Sequence, residues 1–204
     1  MFFVKYGKEK HLDTLAAGRM RFTPLMFYRQ YEKEEEIKSG ISDPFEGMAI
    51  ERIDNLSIVK EDGEKIDYLE RIMLGMDFGT TAGIPVFCIS AYVDENDWGT
   101  HLDLMMEKFP EYTHCLRIDN IEGFIKEIHK ESKGMKSGFV TYKEEPVQLN
   151  PRNEWEYAFY KRPLFSYQKE YRFVCSNTRT QDPIILTFNS KVPMTLTRIK
   201  NDYR

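Results

Sequence analysis

The densest group of polar side chains in the chain lies in KRPLFSYQKEYRF, residues 161–173, where Lys161 and Arg162 precede the stretch SYQKEYRFV, residues 166–174. If this stretch is a β-strand, Gln168, Glu170 and Arg172 share one face, because successive side chains of a strand point to opposite sides. An amide, a carboxylate and a guanidinium would then stand side by side. The opposite row is mainly aromatic and suits a hydrophobic core: Tyr167, Lys169, Tyr171 and Phe173.

The polar row has the residue types that bond cleavage at a sugar requires. A carboxylate beside a guanidinium stays ionised, because the opposite charge lowers its pKa. A fixed anion of this kind can stabilise the oxocarbenium ion that forms when a glycosidic bond breaks. The amide of Gln168 could orient the incoming nucleophile. The alternative is a solvent-exposed ladder of ion pairs, each contributing less than about 1 kcal/mol, and the spacing alone favours that simpler interpretation.

Other residues that commonly build active sites are scattered. The four histidines show no spacing of four residues to one another or to a cysteine, so neither a His-based triad nor a metal site is indicated. Cys88, Cys115 and Cys175 lie in separate apolar runs and are expected to be buried. In the turn SDPFEG, Asp43 and Glu46 could bind a ribose or a cation, although an Asp before Pro more often caps a turn. No metal cofactor is expected.

Hydrophobic periodicity predicts the elements that position these residues. Leu12 and Leu15 mark one face of a helix that ends at Gly18, and residues 119–132 form an amphipathic helix. The run GIPVFCISAY, residues 83–92, is the most convincing buried strand. Further helices are predicted over 67–76 and, with Thr100 as N-cap, over 100–109, and further strands at FFVKYG, RMRFTP, HCLRI, GFVTYK, WEYAFYK, YQKEYRFVC, PIILTF and MTLTRI.

This pattern predicts an α+β fold with a mixed, largely antiparallel sheet as its core and helices inserted in the first two thirds. Residues 1–204 are expected to form a single domain, because the length suits one sizeable core and no linker-like segment interrupts it. The sequence contains no GxGxxG, GxxxxGK[ST] or GxSxG motif. Rossmann-type, P-loop and serine-hydrolase sites are therefore not supported.

Composition and charge narrow the functional classes. Hydrophobic residues make up 41% and charged residues 30%, which is typical of a globular chain, and neither a signal peptide nor a membrane-spanning run is recognisable. A cytoplasmic location is therefore expected. The net charge of −4 argues against a general binder of duplex DNA. From Lys161 to the end, however, the sequence has nine Lys or Arg and three Asp or Glu, a formal charge of +6. This basic segment could bind a phosphate-bearing ligand or pair with acidic residues within the fold.

Five short signatures occur in an order that resembles a bacterial family of uncharacterised proteins, described as domain of unknown function 2971. The resemblance spans most of the chain. The chain departs from the family pattern at Ser42, where Asn is usual, at Phe165, where Trp is frequent, and at Gln168, where the family has Glu. The matching stretches are FVKYG, AAGRMRFTP, SDPFEG, VFCISAY and FYKRPLFSYQKEYRFV.

The same layout is similar to the ADP-ribosyltransferase fold. In that superfamily a late strand carries Gln-x-Glu or Glu-x-Glu, and the final Glu stabilises the oxocarbenium ion that forms when NAD is cleaved. The resemblance implies that Glu170 is the catalytic carboxylate and that Gln168 orients the acceptor. It also implies that the substrate NAD is contacted by a first-strand residue, Lys5 or Tyr6, by the central-strand Ser90 and by basic residues that include Arg21 and Arg172. Which of the two first-strand residues does so stays open.

The function implied by the resemblance is cleavage of NAD and transfer of ADP-ribose to a macromolecular acceptor, in a setting of phage–host conflict. One alternative is a non-catalytic nucleotide- or protein-binding module, favoured by the absence of His or Arg at Tyr6. Another is a nucleic-acid-directed toxin or defence component, favoured by the basic C-terminal segment. The sequence leaves the acceptor and the oligomeric state open.

Overall fold

The computed structural model describes residues 1–29, 49–76, 81–143, 151–189 and 191–199, with backbone alone for 29, 49–58, 66–76 and 151–152. The predicted α+β class is confirmed, because helices pack on a large antiparallel sheet. The turn SDPFEG, with Asp43 and Glu46, lies outside the described residues. The helices are α1 (Glu9–Ala16), α2 (Met26–Arg29), α3 (Glu95–Lys108) and α4 (Ile121–Glu131), with 3-10 helices at Pro151–Phe159 and Pro163–Gln168.

The described strands are β1 (Phe2–Gly7), β2 (Arg19–Pro24), β3 (Ala49–Val59), β4 (Lys65–Met76), β5 (Pro85–Tyr92), β6 (His114–Ile118), β7 (Met135–Phe139), β8 (Thr141–Tyr142), β9 (Tyr160–Lys161), β10 (Glu170–Cys175), β11 (Ile184–Thr187) and β12 (Met194–Arg198). Eight of these strands form the main sheet, and all of their pairings are antiparallel. Their order is β11-β2-β5-β1-β6-β12, while β10 pairs with β5 and β7. No helix among the described residues is long and apolar enough to cross a membrane.

The sheet divides along one edge of β5. Ser90 pairs with Val4 of β1 and with Glu170 of β10, so β1 and β10 lie on opposite edges of β5. At the other end of β5, Val86 pairs with Thr23 of β2 and also with β10. Strands β1 and β2 therefore share one edge of β5 at different ends, and a gap opens between them beside the middle of β5.

The two faces of the sheet have separate cores. One face contains Phe3, Phe87 and Phe173, which pack with Phe124 and Ile128 of α4. Tyr171 belongs to this same core, so the predicted burial of the aromatic row is confirmed at Tyr171 and Phe173. The opposite face is covered by α3 and by the segment that contains the 3-10 helices, through these buried residues: Val4, Tyr6, Tyr92, Met105, Met106, Ala158 and Val174.

The helix predicted over residues 67–76 is wrong. This stretch is the second half of a long hairpin, in which β4 pairs with β3 from Ala49 opposite Met76 to Val59 opposite Lys65. A strand needs a partner for its backbone groups, and the partners of residues 67–76 lie 9 to 27 positions upstream, from Ile58 opposite Asp67 to Ala49 opposite Met76. Apolar periodicity within a short window could not reveal that pairing.

Two predicted strands are also corrected. WEYAFYK lies mostly in the 3-10 helix Pro151–Phe159, and only Tyr160 and Lys161 are extended. The strand expected to begin at Tyr167 begins at Glu170, because Pro163–Gln168 forms a second 3-10 helix. Proline at the start of that helix has a φ angle suited to it, which favours the turn over an extended chain. Gln168 and Glu170 therefore do not belong to one strand.

The helix predicted over residues 100–109 begins earlier than expected, at Glu95. Its N-cap is Asp94, whose Oδ1 accepts a hydrogen bond from the backbone N–H of Asp97 at 2.9 Å. Thr100 lies inside the helix and donates its hydroxyl proton to the carbonyl oxygens of Asn96 and Asp97. The assignment of Thr100 as N-cap is thus wrong.

Candidate functional site

Three neighbouring strands bring Glu170, Ser90 and Tyr6 onto one face of the sheet. Glu170 of β10 lies directly opposite Ser90 of β5, which lies directly opposite Val4 of β1. Side chains of directly paired residues share a face, and Tyr6 shares the face of Val4 because the two are separated by two positions. Arg172 lies on the same face, two residues after Glu170.

The Glu170 carboxylate is enclosed between two cations. Lys161 Nζ lies 2.9 Å from Oε1, while Arg172 Nη2 and Nε lie 2.6 and 2.7 Å from Oε2. Arg172 also donates from Nη1 to the Ala158 carbonyl oxygen at 2.6 Å. The Glu170, Lys161 and Arg172 side chains are only 10%, 7% and 2% exposed. The alternative of a solvated ladder at Glu170 and Arg172 is therefore wrong.

Electrostatics keep Glu170 ionised despite its burial. Burial alone would raise the pKa of the carboxyl, but the charges of Arg172 and Lys161, together with their hydrogen bonds, outweigh it and lower the pKa to about 2. The carboxylate is therefore an anion at any physiological pH. A buried anion of fixed position is a group that can interact with developing positive charge.

Gln168 does not belong to β10, but the Lys161 ammonium links its side chain to that of Glu170. Its side-chain Oε1 accepts from Lys161 Nζ at 2.6 Å, so one ammonium binds both Gln168 and Glu170. Its backbone carbonyl oxygen accepts from Ser90 Oγ at 2.9 Å. Lys161 is thus a site residue, which the sequence placed in the polar stretch before SYQKEYRFV without assigning it a role. Its contact with Gln168 and Glu170 depends on the intervening 3-10 helix, which the sequence pattern did not predict.

A second buried polar group adjoins the first on the same face. The Tyr6 and Tyr92 hydroxyl oxygens lie 2.8 Å apart, and Trp98 Nε1 donates to the Tyr6 hydroxyl at 3.0 Å. The Tyr92 hydroxyl lies 2.7 Å from His101 Nδ1. Burial raises the pKa of Tyr6 to about 12 and lowers the pKa of His101. At neutral pH the group therefore contains a protonated phenol and a neutral imidazole.

Tyr92, Trp98 and His101 were not predicted as site residues. Tyr92 could have been inferred from Ser90, because residues two apart on a strand share a face. The contacts of Trp98 and His101 depend on how α3 crosses β1 and β5, which no local pattern specifies.

Lys5 lies in the gap of the sheet instead of on the Glu170 face. It follows Val4, so its Cβ points to the opposite side. Its Nζ donates to the Cys88 carbonyl oxygen at 2.7 Å and lies 5.0 Å from the centre of the Phe87 ring. Burial lowers the pKa of Lys5, with a partial opposing effect from Cys88 and Glu170. The lysine thus supplies a donor to a β5 carbonyl oxygen at the gap between β1 and β2.

Arg21 is not brought to the Glu170 cluster. It is exposed on β2, where it pairs with Ile185 of β11. Strand β2 meets β5 only at Val86 and Pro85, four or more residues from Ser90. Within the described part of the chain, Arg21 has no hydrogen bond or ion pair to Glu170 or its two cations.

The cysteines and possible metal ligands add no reactive group. Cys115 and Cys175 are buried, as predicted, whereas Cys88 is partly exposed. Burial raises the pKa of the Cys88 thiol to about 11, so it is not a thiolate at neutral pH. Among the residues that the structure describes, no group of three or more His, Cys, Asp or Glu could hold a metal ion.

Comparison with known proteins identifies no relative. No protein-family model, no curated protein and no solved structure matches this chain. The resemblance to domain of unknown function 2971 and to the ADP-ribosyltransferase fold therefore remains an expectation based on the five sequence signatures.

Proposed function

We propose that the protein cleaves the nicotinamide–ribose bond of NAD and transfers ADP-ribose to a macromolecular acceptor, within an ADP-ribosyltransferase-like fold. The observation that carries the proposal is the common face of Glu170, Ser90 and Tyr6. The resemblance implies a first-strand residue, a central-strand serine and a late-strand carboxylate around one substrate. Direct pairing of Ser90 with both Glu170 and β1 supports that arrangement.

The proposed chemistry needs no group beyond NAD and the acceptor. The C–N bond breaks, and its electron pair leaves with nicotinamide, so the ribose becomes an oxocarbenium ion. The Glu170 carboxylate stabilises this cation because it stays ionised. An oxygen or nitrogen of the acceptor, oriented by Gln168, forms the new bond to the ribose and loses its proton to solvent.

The test compares wild type with Glu170→Gln, which removes the charge and keeps the size. With labelled NAD and cell lysate, we expect NAD cleavage and acceptor labelling to fall about 100- to 1000-fold in the variant. Glu127→Gln is the matched control, because Glu127 is a carboxylate paired with Lys130 on α4, on the opposite face of the sheet. Circular dichroism must show that the variants are folded. Equal labelling by wild type and a folded Glu170→Gln would contradict the role of Glu170.

A second candidate function is nucleotide binding without turnover. Both oxygens of Glu170 already accept hydrogen bonds from cations, and a carboxylate held in this way could serve mainly to fix Lys161 and Arg172 for a ligand phosphate. Calorimetry with NAD separates the two functions: binding heat without nicotinamide release supports a binding module, and nicotinamide release supports the transferase.

The basic C-terminal segment gives less support to a nucleic-acid partner than its formal charge suggests. Lys161 and Arg172 pair with Glu170, Lys169 pairs with Asp97, and Arg179 lies 3.5 Å from Glu154. Glu170 belongs to the segment itself, so Asp97 and Glu154 are the two acidic partners here that come from the rest of the chain, and they offset part of the formal charge of +6.

A further inference from the structure

Lys169 has an unusual backbone conformation between the two residues that the proposed reaction uses. Its φ and ψ angles are 46° and 45°, and among the described residues it is the one non-glycine residue with positive φ. The left-handed region is unfavourable for a side chain such as lysine, so contacts of the surrounding structure must stabilise it. Such positions often lie at functional sites.

The left-handed turn brings Gln168 and Glu170 to the same ammonium. If residues 168–170 were a regular β-strand, the side chains of Gln168 and Glu170 would point to the same side, with their Cα atoms about 7 Å apart. Here the chain instead turns from the 3-10 helix into β10 at Lys169, whose N–H donates to the Ser166 carbonyl oxygen at 3.2 Å. The Lys169 carbonyl oxygen accepts from the Ala91 N–H at 2.9 Å. The turn is thereby fixed on both sides.

The Lys169 side chain ties this turn to α3. Its ammonium forms an ion pair with Asp97 Oδ1 and lies 5.5 Å from the centre of the Tyr92 ring. Asp97 Oδ2 also accepts from the Val93 N–H at 3.2 Å. The hydrogen bond from Lys169 lowers the pKa of Asp97, so this carboxylate is ionised at neutral pH.

Helix α3 contacts all three strands or strand ends that form the candidate site. Asp97 binds Lys169 at the start of β10, Trp98 donates to Tyr6 of β1, and His101 bonds to Tyr92 of β5. These three residues lie within five consecutive positions of α3, so a small shift of the helix would change a contact with each of the three strands.

We propose that Lys169 is a positioning residue: its left-handed backbone, held by the ion pair with Asp97, sets the orientation of Gln168 relative to Glu170. The consequence for catalysis rests on the proposed function. The structural part does not, because the orientation of Gln168 can be measured in a protein with no activity.

The experiment uses Lys169→Ala, Asp97→Asn, the double variant and Lys169→Arg, with Lys130→Ala as a matched control in the ion pair with Glu127 on α4. Asparagine at position 97 removes the charge and keeps an acceptor for the Val93 N–H. For Lys169→Ala we expect kcat for NAD cleavage to fall about 10- to 100-fold, while KM changes less than about 3-fold. Lys169→Arg, which restores the cation, should recover most of the loss. The double variant should lose no more than Lys169→Ala, because both single changes break the same ion pair between Lys169 and residue 97.

The second measurement is the NMR signal of the Gln168 side-chain amide, assigned by its loss in Gln168→Leu. It should move in Lys169→Ala and stay in place in Lys169→Arg and Lys130→Ala. Lys169→Gly should disturb it less than Lys169→Ala, because glycine adopts positive φ without penalty. An unmoved signal in Lys169→Ala, or additive losses in the double variant, overturns the inference. If wild type cleaves no NAD but the signal moves as expected, the proposed function fails and the positioning role stands.

Discussion

The Glu170 carboxylate combines two opposing effects, burial and pairing. Removal from water raises the free energy of the ionised form, and the attraction to Arg172 and Lys161 more than offsets this cost. Removing one member of a buried ion pair leaves the opposite charge buried without a counter-charge. The resulting loss of stability is larger than the net contribution of the intact pair. Glu170 should therefore matter for folding as well as for catalysis, and the two roles must be measured separately.

Replacement of Glu170 by Gln should reduce the free energy of unfolding by about 3–5 kcal/mol at pH 7. The pKa in the folded protein, about 2, lies below the usual value of 4.5, so the carboxylate stabilises the fold fully above pH 4.5. This contribution is lost as the pH falls from 4.5 towards 2. Urea unfolding of both proteins at several pH values should show a difference that narrows in this range. A difference independent of pH would contradict the assigned pKa.

At the scale of elements, helix α3 shows how a local sequence signal can misplace the start of a helix. Thr100 has the residue type of an N-cap and an acidic residue three positions later, but Asp94 offers the same capability six residues earlier, in the strand-to-helix turn after β5. The extra turn between Glu95 and Thr100 contains Asp97 and Trp98, both of which contact the site strands. The true start of the helix thus determines what α3 can hold in place.

The two candidate caps can be compared directly. Asp94→Ala should reduce the free energy of unfolding by about 1 kcal/mol, because the Asp97 N–H loses its acceptor. Thr100→Ala should change it by less than about 0.5 kcal/mol, since alanine is favourable inside a helix. Thermal and urea unfolding of the two variants give the values. A larger loss for Thr100→Ala than for Asp94→Ala would contradict the helix start.

At the scale of the whole molecule, one sheet joins the start and the end of the chain. Strand β1 lies between β5 and β6, and β12 pairs with β6. Strand β10 pairs with the edge of β5 opposite to β1. Cores on both faces share these strands. A sheet with such distant pairings should unfold as a unit. The single domain expected over residues 1–204 stays a prediction, which the unfolding experiment below addresses.

The two tryptophans provide a test of that cooperativity. Trp98 reports on α3, and Trp155 packs near Phe159 beside the segment that covers β10. We expect Trp98→Phe and Trp155→Phe, each with one remaining tryptophan, to give fluorescence transitions in urea that coincide with circular dichroism. Separated midpoints within one variant would indicate two independently folding parts.

The sequence by itself determined the features that depend on neighbours in the chain. Helices α1 and α4, buried strand β5 and the α+β class follow from apolar periodicity, because one buried face requires one repeat. The alternation in SYQKEYRFV correctly separated the core residue Phe173 from Glu170 and Arg172.

Tertiary structure decided whatever depends on partners far away in the chain. Strand β4 exists because β3 pairs with it, and the position of Gln168 results from the 3-10 helix and the left-handed Lys169. Only the folded sheet brings Lys161 and Ser90 to Gln168 and Glu170. Segments distant in the chain exclude water from Glu170 and Arg172. These residues therefore form an enclosed ion-pair cluster and not a solvated ladder.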